Sequence, residues 1–261
     1  QFCPEFARSL LFINSAKYSE EDEVKIEAAR KSALHAVTAL SVGPVGNLLI
    51  RDCLFREGAT QTRRGEILGV LARTARATCG RFEPVKRDET PTHGDKETLG
   101  TTVRKLERSL ARTRLVETVK NAFAEHAPAW FAGIYEGLLH PPPFLQFSSR
   151  DAPLLGQIIA VLSVITTCAG PQLHKRDALG LKLVEIALAE RSHPDASVRR
   201  AVCLAVGSAV EASSRETLEE LHVDYAAKGI DIVEWLSWSV DEDPDEHVRK
   251  FAEAVRGKWT R

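Results

Sequence analysis

The sequence predicts an all-α fold built from antiparallel helix pairs, and three observations carry that prediction. Apolar residues recur every three or four positions through most of the chain, and no run alternates as a strand would. Capping residues, glycines and prolines divide this pattern into helix-length pieces joined by short links. The stretch "HPDASVRRAV" at 193–202 returns as "DPDEHVRKFA" at 243–252, with Val198 and Val248 50 residues apart. In each copy proline follows a residue biased away from helix, Asp195 or Asp245 can cap, and an apolar helix follows. A unit used twice in this way reads as an α-solenoid of HEAT-like antiparallel helix pairs. In such arrays the Asp and Arg of this motif bond along the stack, so Asp195, Arg199, Asp245 and Arg249 are structural candidates.

The elements follow in order. A short helix covers about 5–14, with Phe6, Leu10 and Phe12 or Ile13 as its apolar side. Ser19 with Asp22 three residues on has the form of a capping box. It opens a long helix whose inward side is Ile26, Ala29, Ala33, Val37 and Leu40, stopped by Gly43-Pro44. A third segment spans 45–55, and a fourth spans 63–79 with Ile67, Val70, Leu71 and Thr74 inward. From 81 to 102 the chain is nearly devoid of apolar residues and is broken by Pro84, Pro91, Gly94 and Gly100, which reads as a loop. Helix resumes at Val103 and stops before Pro128.

The stretch 128–151 is aromatic and proline-rich, and its triple proline at 141–143 fixes an extended turn. Further helices are expected over 151–168, 175–191, 195–210, 214–227, 229–240 and 245–258. The chain therefore reads as one helical-repeat domain over 1–261: first helical pairs to about 80, the loop, and the remaining repeats from 103.

Composition narrows the function. Formal net charge is −1, which offers no overall attraction to nucleic acid or an acidic membrane. The distribution is uneven: Arg73 to Lys120 is basic, whereas Glu211 to Glu246 carries only Arg215 and Lys228 against many acids. Five scattered cysteines without a CxxC pair suit a reducing, intracellular compartment. The longest apolar stretch, "LLGQIIAVLSVITTCAG", carries Gln157 and several hydroxyls and reads as a buried helix rather than a membrane span. Gln1 opens the chain and no methionine occurs, which reads as a fragment.

No P-loop, GxGxxG, GxSxG, HExxH or close His/Cys spacing occurs, so no catalytic residue, cofactor site or metal site is expected. The acids at 241–246 lack the glycine and terminal glutamate of a calcium loop, and helix capping accounts for them. Trp130, Phe131, Tyr135, Phe144 and Phe147 form the most aromatic region, and core packing competes there with a protein interface. The densest basic run includes Arg104 and Arg108, where a solvated face competes with an acidic partner. Trp235 and Trp238 read as core or inter-repeat packing.

Three stretches together resemble the C-terminal domain of the telomere length regulation protein family, a subunit of the triple T cochaperone complex. They are "RDCLFREGATQTRRGEILGVLARTAR", "HPPPFLQFSSRDAPLLGQIIAVLSVITTCAG" and "DIVEWLSWSVDEDPDEHVRKFAEAV". The resemblance spans about 20–258 and rests on the order and spacing of the three. It departs at 81–102 and at Arg63-Arg64-Gly65. It implies a noncatalytic, cytoplasmic and nuclear helical-repeat scaffold that assembles with two other helical-repeat subunits. With the ninety-kilodalton heat-shock chaperone machinery, contacted mainly through regions outside this fragment, the family supports phosphatidylinositol-kinase-related kinases in DNA-damage signalling. Direct telomeric nucleic-acid binding and a transport or coat-type scaffold are the alternative readings.

Overall fold

The computed structural model describes residues 2–13, 19–80, 121–170, 173 and 176–259. The expected loop at 81–102 and the basic run with Arg104 and Arg108 lie outside the described residues. Among those described the chain is all-α: eleven α-helices, one π-helical turn and no strand.

Helix α1 (Cys3–Phe12) starts with proline in its first turn and buries Ala7, Leu10 and Leu11. That stripe is one step round from the expected one, so Phe6 and Phe12 point to solvent. Helix α2 (Glu20–Leu40) is capped by Ser19, whose hydroxyl accepts from the Asp22 N–H at 3.3 Å. Its buried side is Arg30, Leu34, Val37 and Thr38: of the expected inward residues Val37 is buried, Ile26 and Ala33 are half-buried, and Ala29 and Leu40 are exposed. The buried arginine explains the shift, because a hydropathy pattern cannot anticipate a cation turned inward. Arg30 donates to the Leu10 carbonyl at 3.3 Å and lies 2.7 Å from Glu66, three elements further along the chain.

Helix α3 (Val42–Leu48) runs into the π-helical turn Leu49–Leu54, where one longer segment was expected. Helix α4 (Gln61–Thr78) is capped by Thr60 and buries Ile67, Val70, Leu71 and Thr74 as expected.

Helix α5 (Ala127–Leu139) occupies part of the stretch read as aromatic and proline-rich. Pro128 falls in its first turn, where no N–H is needed, and Ala127, Trp130, Phe131 and Ile134 share its buried side. The rest are α6 (Ala152–Ala169), α7 (Arg176–Ala189), α8 (Ala196–Ala212), α9 (Arg215–Ala227), α10 (Ile232–Glu242) and α11 (Glu246–Trp259).

The packing has a simple order. Helices α2, α4, α6, α8 and α11 touch in succession and form one row. Each row helix also packs on the element just before it: α1 on α2, the π turn on α4, α5 on α6, α7 on α8, and α10 on α11. Helix α6 lies at the centre, and although long and apolar enough to cross a membrane, it is mostly buried between α4 and α8. Helices approach closely where side chains are absent. A Cβ on Gly156 of α6 would sit 3.0 Å from the Ser197 carbonyl oxygen of α8, and one on Gly46 would sit 2.0 Å from the Trp130 ring. Each fully buried Leu or Ile in this core is worth about 1.5–3 kcal/mol, and the cluster runs unbroken from α1 to α11.

Candidate protein-binding groove

The links that lead into α4, α8 and α11 are held by arginines in a recurring geometry. Asp195 caps α8 by accepting from the Ser197 N–H at 2.7 Å, and four residues on Arg199 reaches back to the His193 and Pro194 carbonyls, both at 2.8 Å. Asp245 accepts from the Val248 N–H at 2.9 Å, and Arg249 reaches back to the Asp243 carbonyl at 2.6 Å. A third instance lay unread in the sequence. Thr60 caps α4, and Arg64 donates to the Leu54 and Arg56 carbonyls at 3.0 and 2.9 Å. A hydroxyl cap followed four residues later by arginine was the signal available.

Asp195 and Asp245 thus each cap a helix, and Arg199 and Arg249 each bind back to the link before its helix, with one difference in partner from the expected Asp–Arg pairing. Arg199 takes its carboxylate from Asp243, not from Asp195 or Asp245: Nε lies 2.8 Å from Oδ2 and Nη2 3.0 Å from Oδ1. Asp243 stands 50 residues after His193, and both play the same local role. The Asp195 N–H donates to His193 Nδ1 at 3.0 Å, and the Asp245 N–H donates to Asp243 Oδ1 at 2.9 Å. With Nδ1 accepting, the His193 proton sits on Nε2, which faces the Phe147 carbonyl at 3.2 Å. Hydrogen bonds from the Ser197 hydroxyl and then its N–H hold the Asp195 carboxyl below the usual aspartate range.

The aromatic candidates divide. Trp130 and Phe131 are wholly buried and are core, not interface. Trp130 meets Phe123 edge-on at 5.1 Å, and Phe131 stacks on Tyr135 at 6.0 Å. Tyr135 is half-buried, donates to Glu185 at 3.2 Å and lies under the Lys182 ammonium at 4.7 Å, tying α5 to α7. Phe144 receives the Arg64 guanidinium on its face at 5.4 Å, and Phe147 is half-buried against the core. None of these five gathers into an open surface. Trp235 packs against the core, whereas Trp238 is half-exposed.

The open surface lies elsewhere. The faces of α6, α8 and α11 form a groove of two adjoining cavities, about 760 and 330 Å³, which share Leu204 and Phe251. Gln157, Ala160, Val164 and Thr167 of α6 form one wall at a spacing of three and four residues. Ala201, Leu204, Ser208 and Glu211 repeat that spacing along the α8 floor, and Phe251, Ala254 and Lys258 of α11 form the opposite wall. Leu204 is 37% exposed and Phe251 40%, so two large apolar side chains sit together in solvent. Sequence reading missed this groove because its apolar residues are divided among separate helices.

Among the described residues no three metal-ligating side chains cluster. The five cysteines are separate thiols, four of them buried, and burial pushes Cys203 up to about 12. Comparison with known proteins finds no matching family model, no matching curated protein and no matching solved structure.

Proposed function

We propose that this chain is a noncatalytic helical-repeat scaffold, a HEAT-like α-solenoid that binds protein partners through the groove of α6, α8 and α11. The observation that carries the reading is that groove itself: two exposed apolar side chains between walls at helical spacing. The row of successively packed helices and the repeated arginine links support the solenoid, since a repeat array holds each unit through its neighbours.

The three sequence stretches that resemble the telomere length regulation family supply the cellular setting. In that reading the chain joins two other helical-repeat subunits of the triple T complex and works with the heat-shock chaperone machinery. The clients are phosphatidylinositol-kinase-related kinases, in cytoplasm and nucleus. The test is reconstitution of the purified chain with those two subunits, followed by size-exclusion chromatography. Co-elution is the expected result, and separate elution of the folded chain overturns the reading.

A further inference from the structure

We infer that the groove takes an acidic amphipathic helix of a partner protein, an inference that rests on the protein-binding reading above. Shape comes first. The groove floor runs along α8 from Ser197 to Glu211, about 21 Å at 1.5 Å per residue, which matches roughly four turns of an incoming helix. The helices around it satisfy their own backbone groups and offer no edge for strand addition, so recognition falls to side chains. An incoming helix with apolar anchors at i, i+3 and i+7 would place them on Leu204, Phe251 and the small residues between.

Charge selects the occupant further. Among the described residues the lining carries Arg76, Arg200 and Lys258 and the carboxylate of Glu211. Lys258 is paired with Glu211. Arg76 is exposed and forms no ion pair among the described residues. Arg200 is paired with Asp245, whose carboxylate lies 3.4 Å from Nε. Arg76 is therefore the lining cation left without a carboxylate among the described residues, and a helix that carries glutamates beside its apolar anchors complements it. Nucleic acid fits poorly, because so few cations and no row of stacking aromatics line the groove.

The test uses two fluorescein-labelled helical peptides of about 16 residues, each with leucines at i, i+3 and i+7, one flanked by glutamates and its twin by lysines. Fluorescence anisotropy is measured with the whole chain at low and high salt. The glutamate peptide should bind at least about tenfold tighter than the lysine twin, with the difference shrinking as salt rises. Leu204→Asp should abolish binding, and Arg76→Glu should reduce the preference while leaving the melting curve unchanged. Equal affinity for the two peptides overturns the inference, as does no binding of either. Concentration-dependent self-association that blocks the peptides also overturns it, because it assigns the groove to a second copy. If the peptides fail while the chain still joins its partner subunits, the acidic helix is wrong and the scaffold reading stands.

Discussion

Arg199 grips Asp243 with two parallel hydrogen bonds, joining the start of α8 to the link between α10 and α11. The pair is nearly out of solvent, with side-chain exposures of 12% and 1%. Its value lies in position: one guanidinium holds its own link through two carbonyls and the following link through a carboxylate. Removing one partner leaves a buried charge uncompensated.

Asp243→Ala is therefore expected to destabilise the chain by about 3–5 kcal/mol in urea unfolding. Replacing both Arg199 and Asp243 with apolar residues should cost less than the two single changes added together. Strict additivity in that double-mutant cycle would show that the pair is not coupled.

Two glycines in helices should respond in opposite ways. Gly46→Ala drives a Cβ into the buried Trp130 ring and should cost about 1–3 kcal/mol. Gly69→Ala meets nothing within 4 Å among the described residues and should stabilise α4 by about 0.5–1 kcal/mol. Thermal melts of the two variants decide the matter.

Acid should weaken the α8 cap. The Asp195 carboxyl is held low by the Ser197 hydroxyl and then by its N–H. A folded value below the unfolded one, about 3.9, means the stabilisation is complete above that pH and fades as pH falls through the folded value. Asp195→Ala should cost about 1 kcal/mol at neutral pH, with the deficit narrowing below about pH 4. A deficit independent of pH would remove the cap from the account of acid stability.

Cys203 is buried beneath the groove floor, and burial pushes its thiol up to about 12. In the native protein at pH 8 it should resist alkylation, whereas the half-buried Cys3 should react. Peptide mapping after a short pulse of iodoacetamide reads both. Rapid native labelling of Cys203 would show that α8 opens readily.

Much of this fold was legible because periodicity and punctuation agree. Ser19, Asp195 and Asp245 each stand before a helix, and the α4 stripe of Ile67, Val70, Leu71 and Thr74 was read in the right phase. Reading failed where polar residues turn inward. Arg30 shifted the α2 stripe, and Arg64, which looked like a departure, is buried against two carbonyls and the Phe144 ring. The prolines around α5 masked a helix because Pro128 sits where proline is harmless. The aromatic cluster drew attention as an interface, yet its largest members fill the core, while the groove is assembled from residues of separate helices distant in sequence, Leu204 and Phe251 among them. No single-helix pattern reveals a surface that three helices share.

The most direct test measures binding of the two helical-repeat subunits proposed as partners to the wild-type chain and to the Leu204→Asp/Phe251→Asp double variant by interferometry. Both positions are partly exposed, so the variant should keep its helical content and melting temperature. The account predicts that the wild type binds and that the double variant loses at least about 100-fold in affinity. Equal binding by the two folded chains, or none by the wild type, would contradict it.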